Sequence, residues 1–256
     1  MNNPLSAEKL ASFQQDGYLI ERGLANTEIV ASMNQIIDDS VRPALAPVEY
    51  EADVHYPGAP ASKNAPGGQT PRRLLNAFAR DVVFRDWARS AAVVSRLQQM
   101  LDCRHVMVSQ NHHNCIMTKH PGFSSVTSWH QDIRYWSFDE PELVSVWLAL
   151  GTEQPDNGGL LLIPGSHTLD LPRGRLDAGL FLRDDIAENR SLLDRAVSAE
   201  LQAGDALFFH CRTFHAAGRN KTETVKKSLV YTYHDTLNRA IPETRSANHA
   251  DIQVSE

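Results

Sequence analysis

Cysteine is scarce. Only Cys103, Cys115 and Cys211 occur in the 256 residues, far apart, odd in number and with no C-x-x-C pair, which argues against a disulfide framework or a cysteine-bound zinc. Their expected state is the buried, reduced thiol of a cytoplasmic protein. Long apolar runs are also missing: no stretch approaches the ~20 residues needed to cross a bilayer, so no membrane partner is expected. The opening MNNPLSAEKL lacks the basic and hydrophobic regions of a signal peptide, and the closing DIQVSE is not a peroxisomal address of the SKL type. Clustered positive charge is absent too. The 25 Lys and Arg are scattered among 31 Asp and Glu, for a net charge of −6, and nucleic acid is therefore a poor candidate partner.

What remains is enough for a sizeable core. Of the residues, 42% are hydrophobic and 22% charged, a balance that suits one domain over residues 1–256, as a monomer or homodimer. Ser6 can cap a short helix carrying Leu10 and Phe13 that stops at Gly17. Asn26 can cap a second, in which Ile29, Val30, Met33, Ile36 and Ile37 recur at helical spacing. A third fits residues 81–101, with Val83, Trp87, Val94, Leu97 and Leu101 in one stripe. Residues 43–71, rich in Pro, Gly and Ala, read as a long irregular segment of the kind that forms lids and binding loops. From Val106 the pattern changes to short β-type runs, VMVSQ, HNCIMT, SVTSWHQDI, LVSVWLAL, GLLLIP, DALFFH and KSLVYTYH, separated by turn residues. The expected fold is mainly β with N-terminal helices: a helical layer over about residues 1–104 supporting a jelly-roll core over about 105–240.

Within SWHQDIRYW, at residues 128–136, His130 and Asp132 are two apart, so in an extended strand both point to one face and Gln131 to the other. Two ligands hold a metal poorly, and a third must come from elsewhere. GDALFFHCRTFHAAGRN offers His210 and His215 about a short turn. Two histidines and a carboxylate on one face of an octahedron form the facial triad of non-haem Fe(II) oxygenases, which leaves positions for a co-substrate and O2. An H-x-D alone is common by chance, and in a chain with 11 histidines a third ligand is easily found. Further downstream, Lys226 and Ser228 of KKSLVYTYH share a strand face, and a cation there suits the distal carboxylate of a dicarboxylic co-substrate. A solvated lysine pair on an edge strand fits the same residues.

HQD, then NGGLLLIPGSH, then GDALFFHCRTFHAAGRN, in this order and at these separations, resemble the phytanoyl-CoA dioxygenase family of Fe(II)- and 2-oxoglutarate-dependent oxygenases. The opening FQQDGYLIERGLANTEIVASMNQII resembles that family's N-terminal segment, so the likeness runs from Phe13 to about Tyr233. The resemblance implies a double-stranded β-helix of the cupin-like type, with His130, Asp132 and His215 as metal ligands and His210 as a non-ligand. It implies a reaction in which 2-oxoglutarate is decarboxylated to succinate and CO2 while O2 supplies a hydroxyl to an aliphatic C–H of a small-molecule metabolite. Halogenases of the superfamily have a small residue in place of the carboxylate, so Asp132 favours hydroxylation. The family's 2-oxoglutarate-binding arginine is replaced here by Lys226, which lacks the bidentate fork; Arg219 is the competing candidate. Asn114, Thr118 and Ser228 are further expected co-substrate contacts.

For the substrate, the candidates are Arg134, Trp136, His112 and Trp147, with Tyr135, Phe138 and the segment bearing His55, Tyr56, Arg72 and Arg73 placed to cover the mouth. His112 and His113 precede Asn114 on opposite strand faces, so one of them is expected to face the cavity. His167 of the PGSH turn is assigned no metal role. Three readings follow: a hydroxylase, the same site performing desaturation or ring closure, and a non-catalytic metal-binding jelly roll. A zinc hydrolase is weaker, since there is no HExxH.

Overall fold

The computed structural model describes residues 4–54 and 56–255. The first part of the chain runs α1 (Ala7–Asp16), β1 (Tyr18–Glu21), α2 (Thr27–Val41), β2 (Val48–Tyr50), β3 (Pro71–Leu75), α3 (Ala77–Arg80), α4 (Val82–Ala88) and α5 (Ala91–Met100). The strand-rich part follows with β4 (Val106–Val108), β5 (Asn114–Lys119), β6 (Thr127–His130), β7 (Leu143–Ala149), β8 (Leu160–Leu162), α6 (Ala187–Leu193), β9 (Val197–Ser198), β10 (Ala206–His210), β11 (His215–Ala217), β12 (Lys226–Asp235) and β13 (Ile252–Gln253). The helix starts follow from local chemistry. Ser6 Oγ accepts from Lys9 N at 3.3 Å and Asn26 Oδ1 from Ile29 N at 2.9 Å, each satisfying an otherwise free N-terminal donor. Gly17 closes α1 at φ 76°, a left-handed turn that a Cβ would disfavour.

Two antiparallel sheets face each other. The large one runs β1-β10-β7-β12-β5-β3-β2, with β4 and β13 attached beside β12; the small one runs β6-β11-β8-β9. Together they make a double-stranded β-helix with open sheets. Strand alternation divides the central strands between two cores. Val144, Val146, Leu148, Phe208, Leu229, Tyr231 and Tyr233 face the helices and pack with Met33, Ile37, Phe84, Trp87 and Leu97. Trp147, Ala149, Leu207, Phe209 and Val230 face inward and meet Leu160, Leu162 and Ala217 of the small sheet. The helical layer thus covers one face of the large sheet and leaves the other for the space between sheets.

Several expectations change. The single helix over residues 81–101 is broken at Arg89 and Ser90: Ser90 is extended (φ −61°, ψ 140°) and its side chain caps α5, which lets Trp87 and Leu97 both bury. Residues 43–71 are not wholly irregular, for β2 lies within them and β3 begins at Pro71, extending the large sheet beyond β5. The N-terminal layer is therefore part strand, because β1 also pairs with β10. The run SVTSWHQDI is a strand only over Thr127–His130, and residues from Asp132 to Tyr135 wind into a 3-10 turn.

Phe208 is fully buried against the helices, on the face away from the inter-sheet space. Phe208→Ala is expected to lower stability by about 3–5 kcal/mol in urea titration, while divalent-metal affinity measured on the folded protein stays unchanged.

Candidate active site

His130 closes β6 and His215 opens β11, and the two are direct antiparallel partners. Their rings lie side by side, with centroids 4.2 Å apart. Each imidazole is oriented by the backbone two residues earlier: His130 Nδ1 lies 2.9 Å from Ser128 O, and His215 Nδ1 lies 3.0 Å from Thr213 O. A carbonyl can only accept, so Nδ1 carries the proton in both rings and Nε2 presents its lone pair. Asp132 joins them because Gln131 between is extended (φ −117°, ψ 129°), and the Gln131 amide turns away to Arg212 O and Arg134 Nε.

Asp132 Oδ1 is 3.5 Å from His130 Nε2 and 3.7 Å from His215 Nε2. Such distances are long for hydrogen bonds and not far above the ~3 Å separating adjacent ligands of one octahedral ion with bonds of about 2.1 Å. Asp132 Oδ2 is buried with no hydrogen-bond partner, a costly state unless a cation shares the carboxylate. Burial alone would raise the Asp132 pKa; the surrounding His113, His215 and His130 imidazoles outweigh it and hold the group well below the usual carboxylate range. Burial, with His130 beside it, pushes His215 down to about 4, so it is a neutral ligand at pH 7. The three side chains are buried and their ligand atoms fall within 4.8 Å of one another, the one such group found among the described residues. The donor set fits a divalent cation.

The triad forms one wall of a cavity of about 430 Å3 between the sheets. Opposite stands Lys226, whose side chain is 2% exposed. Its Nζ donates to Glu153 Oε2 at 3.1 Å and Ser228 Oγ at 2.9 Å, and lies 4.8 Å from the Trp147 ring centroid. Glu153 is fully buried and also accepts from Ser228 Oγ at 2.6 Å and Trp147 Nε1 at 3.1 Å. The expected residues Lys226, Ser228 and Trp147 are thus one network around a carboxylate that sequence reading did not single out. Asn114 and Thr118 reach the cavity from β5; Asn114 Oδ1 accepts from Phe78 N at 2.9 Å, and Thr118 Oγ1 donates to Pro71 O at 2.7 Å. Lys119, also missed, lines the same wall and holds Ser125 O and Gly218 O at 2.8 and 2.7 Å.

Trp136 lines the cavity and stacks on His112 at 4.6 Å. Both His112 and His113 face the cavity, contrary to the alternation expected, because β5 starts only at Asn114 and the two precede it in a bend. Three candidates do not line the cavity: Ser228 sits behind it, fully buried against Lys226 and Glu153, and the other two are arginines. Arg134 donates to Gln131 and lies over Phe214, with its guanidinium carbon 5.9 Å from that ring. Arg219 is exposed, with its guanidinium packed over Gly58 where a Cβ would sit 1.5 Å from Nη2. His210 is held by Glu142 at 3.0 Å, and His167 lies beside it with ring centroids 5.4 Å apart. Tyr56, Tyr135, Arg72 and Arg73 line the cavity, Phe138 packs against Leu143 and Cys211, and His55 lies outside the described residues.

A double-stranded β-helix carrying a buried His, Asp, His set on paired strands defines a class of mononuclear metal enzymes. A family model described as phytanoyl-CoA dioxygenase matches residues 13–228, and the chain belongs to that family. Ectoine dioxygenase of Streptomyces avermitilis is 27% identical over 259 residues, spanning 93% of this chain and 81% of its own. The probable phytanoyl-CoA dioxygenase of Caenorhabditis elegans is 23% identical, spanning 93% and 78%. Among solved structures, EctD from S. alaskensis with 2-oxoglutarate and 5-hydroxyectoine shares the fold at a TM-score of 0.77 and 20% identity, over 94% of this chain and 80% of that one. The carbocyclase SnoK from nogalamycin biosynthesis does so at 0.74 and 17%, over 99% and 100%.

Losing a group that merely orients a ligand lowers metal affinity about 10–100-fold. His215→Ala and Asp132→Ala should therefore weaken Fe(II) binding by more than about 100-fold in anaerobic calorimetry, and His210→Ala should leave it unchanged. The cavity histidines also set a pH dependence. Burial pushes His112 to about 3 and His113 to about 4, from 6.5. Between those values and 6.5 the unfolded chain binds more protons than the folded one, so stability falls as pH drops through that window. Urea midpoints of metal-free protein should decline from pH 7 to pH 5, with a shallower slope for His112→Gln.

Proposed function

We propose that the chain is an Fe(II)- and 2-oxoglutarate-dependent dioxygenase that hydroxylates an aliphatic C–H of a small molecule, forming succinate and CO2. The observation that carries this reading is the convergence of His130 Nε2, Asp132 Oδ1 and His215 Nε2 at the wall of the inter-sheet cavity, in a member of a dioxygenase family. Bound Fe(II) with 2-oxoglutarate and O2 would supply the oxidant for C–H cleavage.

The protein's own part is positioning. His130, Asp132 and His215 would hold one face of the ion and leave the other to the cavity. Lys226 has three donors, two of them used by Glu153 and Ser228, and the third is available to the distal carboxylate of 2-oxoglutarate. Trp147 packs against that ammonium and keeps water from it. Asn114 and Thr118 line the cavity beside it, and Trp136 with His112 closes the side nearest Asp132. The intact carboxylate at position 132 favours hydroxyl return over halogenation. Among the described residues no helix is long and apolar enough to cross a membrane.

Anaerobic addition of Fe(II) and then 2-oxoglutarate is expected to raise a charge-transfer band in the visible region, which His130→Ala abolishes. A binding-only jelly roll would give no band. Lys226→Met should raise the 2-oxoglutarate Kd by about 10–100-fold, the range for one hydrogen bond to a charged group. It should also destabilise the fold by about 3–5 kcal/mol, because Glu153 is left as an unpaired buried charge; adding Glu153→Gln should restore most of that stability without restoring affinity.

A further inference from the structure

The flank of the cavity formed by β3 carries a second cationic station. Arg73 pairs with Met117 of β5, which pairs in turn with Ser228 of β12. Arg73 is therefore in one row with Ser228, two strand spacings or about 10 Å away. It shares the inward face: its neighbour Leu74 packs under the helices, whereas Leu75, two positions on from Arg73, packs in the inter-sheet core. The guanidinium makes no hydrogen bond to a described residue, and its Nε is buried without a partner. The nearest carboxylate oxygen, Glu49 Oε1, is 3.3 Å from Nε and is already taken by Arg72 Nη1 at 2.7 Å. One carboxylate thus faces two guanidiniums, that of Arg72 buried and that of Arg73 partly open to the cavity.

This station adjoins the metal site. Arg72 lies over Tyr56 at 5.0 Å, Tyr56 stands edge-on to Phe181 at 5.9 Å, and Phe181 stands edge-on to His130 at 5.9 Å. A guanidinium that opens to the cavity with its donors unspent matches a planar carboxylate, which it can bind through two parallel hydrogen bonds. 2-Oxoglutarate with its keto-acid end on the metal has one distal carboxylate, and Lys226 stands ready for it two strands away. Resting on the oxygenase reading, we propose that Arg73 anchors the primary substrate by a carboxylate, so that the substrate is a small carboxylic acid whose reacting carbon faces His130, Asp132 and His215. Arg72 and Glu49 hold the β3 flank in place, and the aromatic rings of Tyr56 and Trp136 border the body of the molecule.

The test uses protein loaded anaerobically with Fe(II) and 2-oxoglutarate, titrated calorimetrically with matched acid and amide pairs: benzoate and benzamide, cyclohexanecarboxylate and its amide, proline and prolinamide. Formation of the visible band before any acid is added checks the oxygenase reading separately; the calorimetric comparison does not depend on that band. At least one acid is expected to bind tenfold or more tightly than its amide. Arg73→Met should erase that preference and leave 2-oxoglutarate affinity within twofold. Arg73→Lys, which keeps the charge but loses the fork, should weaken the acid at least threefold, and this holds the test open should Arg73→Met fail to fold. The proposal is overturned if no pair shows a preference, if the preference survives Arg73→Met or is undiminished in Arg73→Lys, or if either variant instead weakens 2-oxoglutarate tenfold, which would give the carboxylate on Arg73 to the co-substrate.

Discussion

The antiparallel pairing of His130 with His215 is the contact on which the site depends. It sets two imidazoles side by side at the junction of β6 and β11, and each ring repeats the same device, an Nδ1 proton given to the carbonyl two residues back. Neither ring needs a second side chain to choose its tautomer, so the Nε2 atoms that converge on Asp132 are set by backbone alone. Asp132 then follows from one extended residue, Gln131. Because the strand ends at His130 and the chain turns at Asp132, the carboxylate is carried toward the imidazoles, where a flat continuing strand would keep it one repeat of ~6.6–6.8 Å along.

Two pairs of opposite charge support the rest of the cavity wall. Lys226 with Glu153, and Arg72 with Glu49, are all largely withdrawn from water. Such pairs contribute little net stability, since desolvation consumes most of the attraction, but removing one partner is expensive. Their value lies in direction: Glu153 spends both its oxygens on Lys226, Ser228 and Trp147, which leaves a single ammonium proton uncommitted. The helical layer makes this possible at a distance. By burying Leu229, Tyr231 and Tyr233 on the far face, it leaves inward positions of β12, at Lys226 and Ser228, for polar groups.

Period-two spacing made much of this legible. His130 with Asp132, and Lys226 with Ser228, were each readable as sharing a face, and the caps at Ser6 and Asn26 followed from side-chain chemistry. The split of the third helix was less visible, because Val83, Trp87, Val94 and Leu97 keep a helical stripe across Ser90 and only the capping hydroxyl marks the break. Glu153 was illegible for another reason: it lies in the turn sequence GTEQPD, with nothing local to distinguish it from a solvated loop acid. The signal that could have found it is indirect. A lysine facing inward needs a counter-charge, and the loop following β7, the strand next to β12, is where one would arrive. Arg73 was legible only as part of a segment covering the mouth, because the Pro- and Gly-rich stretch before it reads as loop up to Pro71, and pairing with β5 reveals it as a strand residue.

Lysine at position 226, where the family has arginine, changes what the surrounding wall must do. A guanidinium presents five donors in a rigid plane and can hold a buried counter-ion and a ligand carboxylate through different edges. An ammonium presents three from one point, so each donor given to the protein is lost to the ligand. Glu153 and Ser228 take two, and Trp147 occupies the side from which water would compete for the third. On the proposed reading the ligand carboxylate would be held through one hydrogen bond, without the planar alignment that a fork imposes. Its orientation would then come from its metal-bound end and from the cavity walls at Asn114 and Thr118, which would make the triad the principal determinant of where the co-substrate lies. A weakly oriented co-substrate tolerates little disorder in the second molecule, and a rigid anchor on the β3 flank would supply the missing constraint from the opposite side.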